Sequence, residues 1–328
     1  MIARGGHREF LHSAGWGEAE VGPLAGDASF RRYFRVNDRG RRAVLMDAPP
    51  EHEDVRPFLK IADLLVGAGF SAPRLMAADR EKGFLLIEDF GDELMGPVLA
   101  ADPRREEDVY AAAVRLLAEL KDLVPPADLK PYDRAELLRE VLIFPEWYGK
   151  AAGFAWDAES YAAAWDKVWG DVLAETKARP VVTLRDYHAD NLMLLEDRRG
   201  VQALGLLDFQ DALAGHPAYD LVSLLQDARR DVTPRLEKEM LREYARAAGV
   251  ADEEGFRTSY EVLGAQRNVK ILGVFVRLRD RDGRKGYVER LPRVWGYVER
   301  NFQHPALAPV KQWFDAHVPQ GLRVEWCR

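Results

Sequence analysis

Near residue 89 the texture of the chain changes, and that change limits what it can fold into. Before it, residues 30–36, 42–46, 74–78 and 84–88 form short apolar-rich segments bounded by Gly, Pro, Asp or Asn, the pattern of strands. Between the second and third, Val55, Phe58, Leu59, Ala62, Leu65 and Val66 recur at helical spacing, and Gly67 and Gly69 end the run. After Asp89, helix-length stretches take over, at about 104–123, 134–144, 158–176, 233–248 and 253–279. One β island interrupts them: LMLL (192–195), a polar turn EDRRG, then VQALGLL (201–207), a hairpin with a longer loop. The expectation is an α+β chain of two lobes. A smaller β-rich lobe spans residues 1–89, and a larger helical lobe carrying the hairpin spans 90–328.

Composition narrows the function classes. With 328 residues, 47% of them hydrophobic, the chain can bury one large core or two packed lobes. A net charge of −7 makes wholesale binding to nucleic acid or an anionic membrane a poor expectation. The single cysteine, Cys327, allows neither an intrachain disulfide nor a site of several thiolates, and fits a reducing compartment. The opening MIARGGHREFLHSAGW lacks the apolar core of a signal peptide, and no apolar run approaches the roughly 20 residues that span a bilayer. A soluble, cytoplasmic protein with a small-molecule substrate is expected.

The chemistry gathers at the hairpin. Before it stands LRDYHADN, with Asp186 and Asn191; after it stands LLDFQDALAGHPAYDL, beginning at Asp208. A lone Asp or Asn at a strand end is most often a turn former or cap. A hairpin, however, brings its ends together, so these three residues are expected to meet at one rim. Two oxygen ligands beside a further carboxylate suit Mg²⁺, which also takes phosphate oxygens and water. The remaining carboxylate is then available to orient an attacking hydroxyl. Phosphoryl transfer needs little more, being mostly positioning and charge neutralisation.

RDYHADN resembles the kinase catalytic loop, in which Asp precedes Asn by five, and Asp208-Phe209 stands where kinases begin DFG. The continuation DFQDALAGHPAYDL resembles the aminoglycoside-phosphotransferase and choline-kinase superfamily, and the likeness runs along essentially the whole chain. It implies a two-lobed, protein-kinase-like fold and ATP with Mg²⁺ as cofactors. By this likeness Asp186 is catalytic, and Asn191 and Asp208 hold metal. The IEDFG segment, with Glu88, Asp89 and Phe90, corresponds to the adenine-contacting hinge. Asp220 begins a helix that braces the catalytic loop, and its own carboxylate is expected to cap that helix. His188, Asp190 and Asp211 are candidates for substrate contact, with local structural support as the plainer alternative.

Three departures matter. Leu184 stands where the superfamily usually has His, and Gln210 replaces the Gly of DFG. Within AVLMDAPP (43–50), Met46 occupies the place of the phosphate-binding lysine. The preceding GDASFRRYF offers substitutes: a loop at 26–29 with the Ser29 hydroxyl near phosphate, and Arg31 or Arg32, of which strand alternation lets one face a cleft.

For the acceptor, FPEWYGK places Glu146 beside Trp147 and Tyr148, suited to a sugar face or a quaternary amine, with core packing the plainer alternative. Residues 258–301 hold ten Lys or Arg against five Asp or Glu, and Arg267 and Lys270 lie on one helix face. Such a wall, unless merely solvated, disfavours polycationic aminoglycosides. DASFRRYFRV, VLMDAPPE, GFLLIEDFGD and QRNVKILGVFVRL together resemble the bacterial anomeric amino-sugar kinases, which implies transfer to the C1 hydroxyl of N-acetylmuramate or N-acetylglucosamine in cell-wall sugar recycling. Kinases of choline, homoserine or aminoglycosides remain alternatives. So does an inactive nucleotide-binding module, for which Met46 speaks.

Overall fold

The computed structural model describes residues 3–24 and 30–323. Two compact units form, Met1–Pro103 with Asp190–Asp211, and Arg104–Ala189 with Ala212–Arg328. The first carries most of the strands and the second is mainly helical, the α+β arrangement expected. The units do not follow a division at residue 89. Residues 90–103 and the hairpin belong with the N-terminal strands, for reasons visible in their hydrogen bonds.

In the β-rich unit, helix α1 (His7–Ser13) precedes strands β1 (Glu20–Pro23), β2 (Arg32–Asp38) and β3 (Arg41–Asp47). Helix α2 (Arg56–Gly67) follows, then β4 (Leu75–Asp79), β5 (Phe84–Glu88) and helix α3 (Met95–Ala101). The sheet is antiparallel, in the order β1-β2-β3-β5-β4. Side chains alternate across a strand, so Phe34, Val36, Ala43, Leu45, Phe84 and Leu86 share one face, where they pack with Phe10, Leu11 and Trp16 from the α1 region. Seven residues are too short for periodicity to reveal α1 in advance. The turn before β5 needs Gly83: φ is +70°, and a Cβ there would lie 1.9 Å from the Ala48 carbonyl oxygen.

Strands β6 (Val181–Thr183), β7 (Leu192–Leu194), β8 (Leu204–Leu206) and β9 (Leu213–Gly215) lie beyond the sheet. The pair β7–β8 is the hairpin expected from sequence. Its edges are satisfied by the β-rich unit, since Leu206 N–H donates to Ser71 O at 2.7 Å and Leu194 N–H to Glu93 O at 2.8 Å. Buried backbone groups need such partners, which is why the hairpin belongs with this unit.

The helical unit contains α4 (Glu106–Leu120), α5 (Arg134–Val141), the π-helical turn Phe144–Gly149 and α6 (Lys150–Ala152). Then come α7 (Ala158–Asp166), α8 (Gly170–Ala178), the β6–β9 pair, α9 (Ala218–Leu225) and α10 (Pro234–Ala248). Helices α11 (Glu253–Asp280), α12 (Leu291–Asn301) and α13 (Ala308–His317) complete it. The single helix expected over 158–176 is two: the chain tightens after Trp165, where Val168 N–H donates to the Trp165 carbonyl at 3.0 Å, and Trp165 and Trp169 stack at 5.5 Å in the core. Thr233 caps α10 and Asp252 caps α11, each accepting from the backbone N–H three residues on. Helix α11 crosses the segment after α5 so closely that a Cβ on Gly273 would lie 2.4 Å from the Ile143 carbonyl oxygen. No helix among the described residues is long and apolar enough to cross a membrane.

Candidate active site

The catalytic-loop sequence leaves β6 through Leu184 and Arg185. Arg185 holds φ at 73°, a conformation that costs a non-glycine residue energy and marks functional turns. Two backbone donors stabilise that turn: Leu184 N–H and Arg185 N–H reach the two oxygens of the Asp220 carboxylate at 2.6 and 2.7 Å. Asp220 thus braces the loop, as the resemblance implied. It does not cap its own helix, because its oxygens are aimed at the loop and α9 has no side-chain cap. Burial pushes its carboxyl up to about 7, against the lowering effect of the two donors.

Asp186 follows, half-buried. Burial raises its carboxyl, but His188, Lys270, Arg267 and Arg185 outweigh that and hold it below its ordinary value. It is therefore an anion at neutral pH, the state a hydroxyl-orienting group needs. Burial, chiefly, drives the His188 imidazole well below its usual range, so that ring is neutral.

Asp186 lines a cavity of about 240 Å³ built within the helical unit. Arg139, Arg185, Arg229, Arg267, Lys270 and Arg277 line it, against the carboxylates of Glu140 and Asp186. Ile143, Ile271, Val274 and Phe275 supply the apolar wall. Buried Glu140 organises one side: it accepts from Arg185 and Tyr132, from Lys270 Nζ at 3.1 Å and from Gln266 Nε2 at 3.0 Å. Burial pushes its carboxyl up, yet Lys270 and Arg185 prevail and hold it at about 2. Lys270 also donates to the Tyr219 hydroxyl at 2.9 Å, and Arg267 to the Ser223 hydroxyl at 2.7 Å. The cavity shares Arg267, Lys270 and Asp186 with the sequence expectation. Sequence reasoning missed Glu140, Arg139, Arg229 and Arg277; helical phase was the only signal for the first, second and fourth, and Arg229, in the segment between α9 and α10, had none.

The FPEWY expectation fares differently. Tyr148 is core: its hydroxyl donates to Leu322 O at 2.5 Å and accepts from Trp295 Nε1 at 3.0 Å, and its ring stacks on Phe144 at 5.0 Å. Glu146 is exposed and Trp147 half-buried, and neither lines the cavity. The π-helical turn puts them out of phase with α5.

In the β-rich unit, the hairpin ends meet, with Leu207 N–H donating to Asn191 O at 3.0 Å. Asp208, at φ 56°, accepts from Arg31 Nη2 at 2.9 Å and from Gln210 Nε2 at 2.8 Å, and Phe209 stacks on Phe58 at 5.1 Å. Asp190 and Asp211 are exposed in this unit, and Asp186 belongs to the other. Met46 is fully buried in β3 between Tyr33 and Leu85. Arg31 is buried and also approaches Glu53 at 4.0 Å. Arg32 begins β2 opposite Asp47, whose carboxylate takes Arg4 at 2.5 Å. Ser29 and the 26–29 loop lie outside the described residues.

The hinge candidates are held tightly. Glu88 pairs with Arg198, and its N–H donates to Arg74 O at 2.9 Å, so that donor is taken. Asp89 accepts from Gly91 N–H at 2.9 Å and from Arg35 Nη2 at 3.1 Å. Phe90 lies over Gly205, where a Cβ would come within 2.7 Å of the ring.

Comparison with known proteins agrees with this picture. The phosphotransferase enzyme family model (APH) matches residues 20–257. A protein of Caulobacter vibrioides named N-acetylmuramate/N-acetylglucosamine kinase is 35% identical, covering 96% of each chain. One of Pseudomonas aeruginosa with the same name is 38% identical over 95% of this chain and 94% of its own. Among solved structures, a choline/ethanolamine kinase family protein from Mesorhizobium loti superposes with a TM-score of 0.62 at 15% identity, over 93% of this chain and 98% of that one. An ADP-bound aminoglycoside phosphotransferase, APH(2'')-Ib, gives 0.58 at 14% identity, over 90% and 97%. The fold is therefore the two-lobed, protein-kinase-like one, and the chain belongs to the phosphotransferase enzyme family.

Proposed function

We propose that this phosphotransferase moves the γ-phosphoryl group of ATP to the anomeric hydroxyl of an N-acetyl amino sugar, accepting N-acetylmuramate and N-acetylglucosamine. The observation that carries the reading is the cation-rich cavity around Asp186, on a chain similar over nearly its full length to kinases named for those sugars. The apolar wall suits a pyranose face and an acetamide methyl, and six cations would repel a polycationic acceptor.

In this reading the Asp186 carboxylate accepts a hydrogen bond from the acceptor hydroxyl and takes its proton as the oxygen–phosphorus bond forms and the bond to ADP breaks. An anomeric hydroxyl is more acidic than an ordinary alcohol, so a modest base suffices. Asp220 holds the turn that aims Asp186. The Asn191 side-chain amide oxygen and the Asp208 carboxylate, on residues brought together by the Leu207–Asn191 bond, are hard donors that fit Mg²⁺. When bound, Mg²⁺ supplies charge neutralisation at the phosphates. Arg31 supplies positive charge beside Asp208 in place of the lysine absent at Met46. An ATP-dependent sugar kinase of this kind acts in the cytoplasm, where its donor is found.

The test is an acceptor panel with ATP and Mg²⁺, read by mass spectrometry, with phosphorus NMR of the product. Coupling of the phosphorus to the anomeric proton is expected. A C6 phosphate, or turnover of choline or aminoglycosides alone, would remove the reading.

A further inference from the structure

Along α11, Arg267, Lys270, Ile271, Val274 and Arg277 present one face to the cavity, at the spacing of successive turns. At 1.5 Å per residue, Arg277 lies about 10 Å along the axis from Lys270 and about 15 Å from Arg267. The cavity thus has two ends. Lys270 and Arg267 are among the groups acting most strongly on Asp186, whereas Arg277 answers to Arg281, Asp282, Arg139 and Glu146.

Each of these cations at the Asp186 end holds a side-chain partner: Lys270 with Glu140 and Tyr219, Arg185 with Glu140, and Arg267 with Ser223 through Nη2, its buried Nη1 having none among the described residues. At the other end the balance differs. Arg139 pairs with Glu136, but the buried Nε of Arg277 has no hydrogen-bond partner among the described residues. Burial and the like charges of Arg281 and Arg139 disfavour its cationic form, with Asp282 and Glu146 opposing. A guanidinium so placed, facing a cavity with an orphaned donor, is a receptor for an anion. Between the two ends lie Ile271, Val274 and Phe275, an apolar span that fits a ring and offers nothing to a carboxylate.

We propose that Arg277, with Arg139 beside it, reads the carboxylate of an acidic acceptor, while the reacting hydroxyl sits at the Asp186 end. Arg277 is thereby the residue that sets preference for an acid-bearing sugar over its neutral counterpart. The inference rests on the amino-sugar reading above and shifts the carboxylate contact from Arg267 or Lys270, each already held by a side-chain partner, to Arg277, whose side chain has no hydrogen bond or ion pair among the described residues. N-acetylmuramate and N-acetylglucosamine form the natural probe pair, because the first carries a lactyl carboxylate and the second does not.

The experiment compares steady-state kinetics of the full-length enzyme and Arg277→Gln on both sugars, with Arg277→Lys as the conservative variant. In Arg277→Gln the ratio of kcat/KM for N-acetylmuramate to that for N-acetylglucosamine is expected to fall on the order of 10- to 100-fold, mainly through KM for the acidic sugar. Arg277→Lys should recover part of that ratio. A merely structural arginine would depress both sugars alike and leave the ratio unchanged, and that result overturns the proposal while the amino-sugar reading stands. A wild-type enzyme that phosphorylates neither sugar overturns both.

Discussion

The Arg31 guanidinium donates to Asp208 Oδ1 at 2.9 Å, joining the first residue before β2 to the acidic residue after β8, 177 positions away. Met46, in the strand where related kinases carry their phosphate-binding lysine, is fully buried. Arg31, buried and close to Glu53 as well, is the cation proposed to take its place. Replacing Arg31 by Ala is expected to raise KM for ATP about tenfold or more, as loss of a charged hydrogen bond does. Arg32→Ala should change it less. Equal effects, or none, would show that the charge comes from elsewhere.

Asp186→Ala should lower kcat by several orders of magnitude with nucleotide affinity nearly unchanged, measured by single-turnover kinetics beside calorimetry with ADP. The surrounding cations hold its carboxyl below the ordinary value of 3.8, so any acidic limb it contributes to the rate profile lies below that pH. A limb near neutrality removed by this substitution would contradict the assignment.

Asp208→Asn is expected to weaken Mg²⁺-dependent ATP binding and nearly abolish transfer. It also removes the charge that engages Arg31. Mg²⁺ titration curves matching those of the unaltered protein would rule out a metal role.

Glu140 carries the stability prediction. It is buried and holds Arg185, Lys270, Tyr132 and Gln266 together, so Glu140→Ala leaves buried cations unpaired and should cost about 3–5 kcal/mol in chemical denaturation. Its folded-state carboxyl sits at about 2, against an ordinary 4.5. Its contribution is therefore complete above pH 4.5 and lost as pH falls toward 2. The acid-unfolding curve of the variant should be flatter over that interval than that of the native chain.

What the sequence determined by itself are the features whose physics is local. Local pattern marked β2 to β5 and the long helices such as α4, α10 and α11, and the hairpin tied Asn191 to Asp208 through short-range pairing. The order Asp186, Asn191, Asp208 was legible because spacing within a loop and across a hairpin needs no distant partner. Only the tertiary structure decided the cavity around Asp186. Glu140 and Lys270 are 130 residues apart, and they meet because α11 passes α5 with Gly273 against the Ile143 backbone. The same crossing decides which cations of a basic stretch find carboxylates and which, like Arg277, face the cavity with a donor left over. Trp147 and Tyr148 show the converse: an aromatic pair looks like a platform in sequence, but a π-helical turn and the Trp295 indole turn Tyr148 into core. Helical phase fixes which residues share a face; what that face meets is set by packing between segments that the chain's own order leaves far apart.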